Sequence, residues 1–155
     1  MFKHILVAID GSSYSQKALP TAIEVAQKFA SDVFILHVSE HDRGRAAIYS
    51  IETPAEATRL VADAVKSVRD AGITAKGELK EVAAGHVAKA IMETAGANKI
   101  DLVVMGSRGL SDVQGLLLGS VTHKVLQMVK VPVLVDRSPK KTPWAGRWPW
   151  PRSAL

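Results

Sequence analysis

The sequence predicts an α/β domain in which a parallel sheet is covered by helices on both faces. Two observations predict it. Short, continuous apolar runs rich in β-branched residues, His4–Ile9 (HILVAI) and Leu102–Met105 among them, suit strands buried on both sides. Between such runs, apolar residues recur at helical spacing. Strands therefore alternate with helices, an order that implies right-handed crossovers and parallel pairing.

His4–Ile9 reads as a central strand, ended by the turn and cap chemistry of Asp10, Gly11, Ser12 and Ser13. From Ser13 to Ala30, the residues Ala18, Ala22, Val25, Ala26 and Phe29 give a first helix one apolar face. Pro20 falls inside that pattern, so the helix either kinks there or starts later than Ser13. Asp32–Val38 (DVFILHV) is the second strand, and Ser39 to Thr53, with mixed charge and no period, reads as a long loop. Pro54 suits the first turn of a second helix with the stripe Leu60, Val61, Ala64, Val65 and Val68, stopped by Gly72. Ile73–Leu79 alternates and is partly polar, as expected near a sheet edge. A third helix covers Ala84–Ala97, and a fourth starts at Ser120 with Val121, Val125, Met128 and Val129 inward. Val131–Val135 (VPVLV) ends the sheet. Pro132 has no N–H to donate, which places this strand at an edge or gives it one irregular register.

The stretch from Ile100 to Val121, IDLVVMGSRGLSDVQGLLLGSV, carries the functional signal. A strand leads into the turn Gly106, Ser107, Arg108, Gly109, and a loop then runs to Gly119 and Ser120, where a helix begins. Strand, glycine turn and helix N-terminus together make an anion site: glycines let backbone N–H groups close on a phosphate, and the helix adds free donors and a positive dipole. Ser120 can serve as N-cap or offer its hydroxyl to a phosphate oxygen. The spacing is not a Walker A loop, because no Gly-Lys-Ser/Thr follows, nor is it a dinucleotide GxGxxG. Asp10, Val38 and Gly106 close or follow strands at their carboxyl ends, where parallel sheets bind ligands, so they can meet on one rim.

This spacing resembles the nucleotide-binding signature of the universal stress protein family, G-x2-G-x9-G-[ST]. The opening HILVAIDGS, the LHV at Leu36 to Val38, the block MGSRGLSDVQGLLLGSV and the terminal VPVLV extend the likeness over roughly residues 3–136. The resemblance implies a single doubly wound, Rossmann-like domain of the adenine nucleotide α-hydrolase type, with five parallel strands, four helices and usually a homodimeric assembly. In ATP-binding members of the family, the position matching Asp10 lies near ribose or phosphate, with that matching Ala8 close by. The position matching Val38 presents backbone groups to the adenine edge. Those matching Gly106, Ser107, Arg108 and Gly109, and Gly119, Ser120 and Val121, wrap ribose and phosphates. Every glycine of the signature is kept, so the chain is expected to belong to the ATP-binding branch. Arg108 adds a cation where triphosphate charge needs balancing. Asp10 would be repelled by phosphates unless Mg2+ or a ribose hydroxyl intervenes, so a metal bound mainly through ATP fits; Asp10 also reads as a turn or helix cap. The likeness further favours pairing of the edge strand Val131–Val135 with its twin in a second chain.

Composition bounds the alternatives. A chain of 155 residues with 47% apolar and 23% charged residues is ordinary for one globular domain. There is no cysteine, which excludes disulfides and cysteine-ligated metals. The N-terminus reads as a strand rather than a signal peptide, and no apolar run approaches the roughly 20 residues that span a bilayer, so a cytoplasmic location is expected. Of the formal charge of +5, all belongs to residues 137–155, whose Arg137, Lys140, Lys141, Arg147 and Arg152 face no acid. Residues 1–136 are formally neutral, which argues against a specific nucleic-acid binder. The tail, with Trp144, Trp148 and Trp150 among prolines and arginines, departs from the family pattern. It is expected to be flexible and to suit an anionic membrane surface, single-stranded nucleic acid or a partner groove, or else to be a dispensable extension folded over its own domain or dimer mate. The histidines His4, His37, His41, His86 and His123 show no metal-ligand spacing. No general base is placed by motif beside Ser12, Ser107, Ser111 or Ser120, so nothing commits the chain to catalysis. Three functions are open: an ATP-binding homodimeric stress regulator, a slow ATPase or self-phosphorylating enzyme, and a ligand-free interaction module working through the tail.

Overall fold

A computed structural model describes residues 1–41, 52–109 and 118–137. The elements run β1 (His4–Ile9), α1 (Ser13–Phe29), β2 (Asp32–His41), α2 (Pro54–Asp70), β3 (Ala75–Ala83), α3 (Val87–Ala97), β4 (Leu102–Gly106), α4 (Ser120–Met128) and β5 (Val133–Asp136). The five strands form one parallel sheet in the order β3-β2-β1-β4-β5, a doubly wound α/β fold. Alternate residues of each strand point to opposite faces, so the continuous apolar runs feed two cores. Ile5, Val7 and Ile9 of β1 pack with α1 and α2 through Ala18, Ala22, Val61 and Val65. Leu6 of β1, Leu36 of β2 and Val103 of β4 pack with α3 and α4 through Ile91 and Val125.

The helix ends follow local chemistry. The Ser12 hydroxyl accepts the Ser15 N–H at 3.2 Å and caps α1, which starts at Ser13 with Pro20 inside it; the later start is excluded. At α2, Thr53 and Glu56 form a capping box: the Thr53 N–H donates to the Glu56 carboxylate at 2.7 Å, and the Glu56 N–H donates to the Thr53 hydroxyl at 3.2 Å. The hydrogen bonds from the Thr53 backbone and hydroxyl hold the Glu56 carboxyl below its usual 4.5. A carboxyl depressed by folding stabilises above its unfolded pKa, and that contribution disappears as pH falls through the folded value. The stability advantage of the native chain over Glu56→Ala is therefore expected to shrink between neutral pH and pH ~3, as read by urea unfolding at both.

Several boundaries differ from the sequence reading. β2 continues past Val38 to His41 because Ser39, Glu40 and His41 pair with Glu81, Val82 and Ala83, so these three residues are strand rather than loop. β3 correspondingly lies at Ala75–Ala83 instead of Ile73–Leu79. α3 begins at Val87, after a turn at Gly85 with φ of 82°. β5 begins at Val133: Pro132 stays outside the strand and contributes only its carbonyl, which accepts the Val103 N–H at 3.0 Å. Residues 42–51 of the predicted loop, the centre of the glycine loop (110–117) and residues 138–155 of the tail, with its three tryptophans, lie outside the described residues. The two margins of the sheet are unlike. β3 carries Lys76, Glu78, Lys80 and Glu81, whereas β5 presents Val133, Leu134 and Val135, all half-buried. No described helix is long and apolar enough to cross a membrane.

Candidate functional site

From β1 the chain winds outward through β2 to β3, and from β4 it winds the other way to β5, so the strand order reverses between β1 and β4. The helices that leave these two strands cover opposite faces of the sheet, which opens a crevice beyond their carboxyl ends. A cleft of about 460 Å³ lies there, within the usual range of small-molecule sites.

Its middle is set by the end of β1. The Asp10 Oδ1 accepts the Ser12 N–H at 2.9 Å, and the Asp10 N–H donates to the Ser15 hydroxyl at 3.3 Å, so the residue makes the turn that the sequence suggested and also lines the cleft. The other oxygen, Oδ2, lies so close to Gly109 that a Cβ there would sit 2.5 Å from it. The turn from β4 is fixed at its base. The Ser107 N–H donates to the Asp136 carbonyl at 2.8 Å, and the Ser107 carbonyl accepts the Gly119 N–H at 2.8 Å. The Thr122 hydroxyl donates to the Gly106 carbonyl at 3.0 Å and pins the first turn of α4 to the end of β4. Arg108 leaves this base, lines the cleft and holds its guanidinium 5.8 Å from the centre of the Tyr14 ring.

α4 differs from the expectation in one respect. Ser120 is its first residue, and the N-cap is Gly119, with no side-chain hydrogen bond at the cap. Gly119 takes the extended cap conformation (φ −67°, ψ 159°), which leaves Ser120 inside the helix. The first intrahelical bond, from the His123 N–H to the Gly119 carbonyl at 2.9 Å, leaves the N–H groups of Ser120, Val121 and Thr122 without an intrahelical acceptor. α1 and α2, by contrast, carry side-chain caps.

Of the residues singled out in the sequence, Ala8, Asp10, Val38, Gly106, Arg108, Gly109, Gly119, Ser120 and Val121 all line the cleft. Ser107 does not; it is buried at the base of the turn. Sequence reasoning missed an apolar wall of Val87, Ile91 and Met105, the clamp at Thr122, and a polar pair of buried His37 with half-buried Glu52. His37 is 2% exposed, with its Nδ1 2.8 Å from the Ile9 carbonyl and its Nε2 2.5 Å from the Glu52 Oε1. No group of three metal-ligating side chains occurs among the described residues.

The Universal stress protein family profile matches residues 1–137. The chain belongs to the universal stress protein family. Universal stress protein YxiE of Bacillus subtilis is 33% identical over 156 residues, covering 88% of this chain and all of that protein. Among solved structures, the hypothetical protein MJ0577 superimposes with a TM-score of 0.77 at 27% identity, over 91% of this chain and 99% of its own. A universal stress protein in complex with cAMP superimposes with a TM-score of 0.69 at 24% identity, over 89% of this chain and 99% of its own. This universal stress protein shares the Rossmann-like fold of its structural neighbours.

Proposed function

We propose that this universal stress protein binds an adenine nucleotide, ATP foremost, in the cleft between β1 and β4, and acts as a cytoplasmic, homodimeric signalling module of the stress response. The observation that carries the reading is the open N-terminus of α4. A glycine caps it, its first N–H groups have no capping side chain, and Gly119, Ser120 and Val121 all line the cleft. Donors of this kind, with roughly half a positive charge from the helix dipole, favour phosphate. Arg108 adds full positive charge on the same side. The apolar wall of Ala8, Val38, Ile91 and Met105 suits the faces of a purine, and Asp10 between the two ends suits ribose hydroxyls. The likeness to a protein solved with cAMP supports an adenine nucleotide as the ligand class. Mg2+ fits as a counter-ion carried by the phosphates: it would screen them from the Asp10 carboxylate, whose Oδ2 faces the glycine turn. The aliphatic margin of β5 is the surface through which a second copy would pair, in the stretch Val131–Val135.

Calorimetric titration of the full chain with ATP and Mg2+, after any copurified nucleotide has been identified by mass spectrometry, is expected to give micromolar-range binding. Light scattering on the same sample is expected to give the mass of two chains. A folded, nucleotide-free protein that takes up no ATP overturns the reading.

A further inference from the structure

We infer that Glu40 is a positioning residue of the cleft. By holding the turn between β3 and α3 against the end of β2, it sets the wall on which the bound base lies and makes the site prefer a purine to the smaller pyrimidines. This rests on the nucleotide reading above and goes beyond it by naming the residue that shapes the base end.

The base end follows from the sheet. β2 and β4 flank β1, and adjacent strands are about 4.8 Å apart, so the carboxyl ends of β2 and β4 are separated by about 10 Å. Phosphates at the start of α4 and a ribose at Asp10 leave the base at the end of β2. Val38 of β2 and Ile91 of α3 line the cleft there. Ala84, in the β3–α3 turn, and Val87, just after it, continue the same apolar surface.

The pairing of β2 with β3 ends at His41 and Ala83. From there the His86 N–H donates to the Ala83 carbonyl at 3.2 Å and closes a turn whose third residue, Gly85, has a φ of 82°. That is the left-handed value a type II turn asks of this position. A Cβ on Gly85 would meet no atom within 4 Å, so conformation and not space calls for glycine. The closing bond of such a turn does not use the N–H of the third residue, which must be met from outside. Glu40 meets it: its Oε1 accepts the Gly85 N–H at 2.6 Å. Val38 and Glu40 are two apart on β2 and point to the same face of the sheet, the one α3 covers, which is how a β2 side chain reaches the turn leading into α3. A carboxylate acceptor makes this a charge-assisted bond, the stronger kind. The strand ladder thus fixes where β3 stops, and Glu40 fixes the direction in which the chain leaves it. The spacing of Ala84 and Val87 from Val38 depends on that direction.

Such a wall discriminates through the apolar area it covers, and the two-ring face of a purine offers more than the single ring of a pyrimidine. A turn that drifts from β2 would lose contact with the base, while phosphates at α4, on the far side of β1, would keep theirs.

The test is calorimetric titration of the full chain with ATP and with UTP, which share ribose and phosphates. The native chain is expected to bind ATP at least about tenfold more tightly. Glu40→Ala is expected to lower that ratio severalfold by weakening ATP; Glu40 is exposed, so the truncation leaves the core untouched. Glu40→Gln, which removes the charge but keeps an oxygen acceptor, is expected to hold the ratio near native. Gly85→Ala, strained at this φ, shifts the same N–H from the other side. It is expected to lower the ratio with Glu40 in place and covers the case in which Glu40→Ala does not fold. A structural role alone would lower the melting temperature and leave the ratio as it was. Nucleotide binding with a ratio unchanged in both Glu40→Ala and Gly85→Ala therefore overturns the role of Glu40. So does an equal loss of both nucleotides in Glu40→Ala and Glu40→Gln, the mark of a simple charge effect, or a native chain that binds ATP and UTP alike. Failure of the native chain to bind either nucleotide overturns the nucleotide reading on which it rests.

Discussion

Gly109→Val is expected to weaken ATP binding by roughly a hundredfold, the equivalent of about 3 kcal/mol, while melting within a few degrees of the native chain. The reason is where the new atoms go. A Cβ at residue 109 would lie 2.5 Å from the Asp10 Oδ2, far inside contact distance, and Val adds two methyl groups beyond it. The clash is with the end of a side chain, which can rotate, so the fold accommodates it at modest cost. The cleft does not. Either Asp10 leaves the Ser12 N–H and swings across the cavity, or the turn at Gly109 is pushed away from β1. Both outcomes separate groups that would have to close on one ligand. The pair of measurements is calorimetry with ATP and thermal melting followed by circular dichroism. Native-like affinity in a folded Gly109→Val protein would mean that the Asp10–Gly109 approach is no part of the nucleotide wall.

Gly106→Val is expected to fail differently, by destabilising the fold by about 3 kcal/mol or more, at the upper end of overpacking costs. For a chain of this size that lowers the melting temperature by roughly 6–12 °C. A Cβ at this position would sit 2.8 Å from the backbone carbon and the Cβ of Tyr14, in the first turn of α1. Backbone cannot step aside as a carboxylate can, so α1 would have to lift from the end of β4. Gly106 is buried, and its carbonyl accepts the Thr122 hydroxyl, which leaves little slack on the far side. Urea or thermal unfolding of the two variants side by side separates the roles: one glycine keeps a helix packed against the sheet, and the other keeps the mouth of the site clear.

That difference also shows what the chain reveals before folding. The run HILVAI could be read as a central strand because burial on both faces removes the need for polar residues, and the register of β1 with β2 and β4 bears this out. Ser39 to His41 could not, because their place in β2 comes from pairing with β3 and not from burial. The glycine spacing pointed to the rim of the sheet where the cleft lies, since strand, turn and helix start are contiguous in sequence. The purpose of each glycine was hidden, because Tyr14 and Asp10, which crowd Gly106 and Gly109, are more than ninety residues away along the chain. His37 and Glu52 were equally hidden. Their contact depends on where the chain returns after β2, and no motif encodes that return.

The unlike margins of the sheet bear on how large an assembly can grow. At the β3 margin, a neighbouring strand would have to accommodate lysines and glutamates. At the β5 margin it would meet valine and leucine. A molecule with two receptive margins can add copies without end and form a fibre. One with a single receptive margin uses it up in the first addition, and with twofold symmetry the contact is its own complement. In the proposed dimer the charged margin would therefore work as a terminator, and sheet-to-sheet growth would stop at a closed pair.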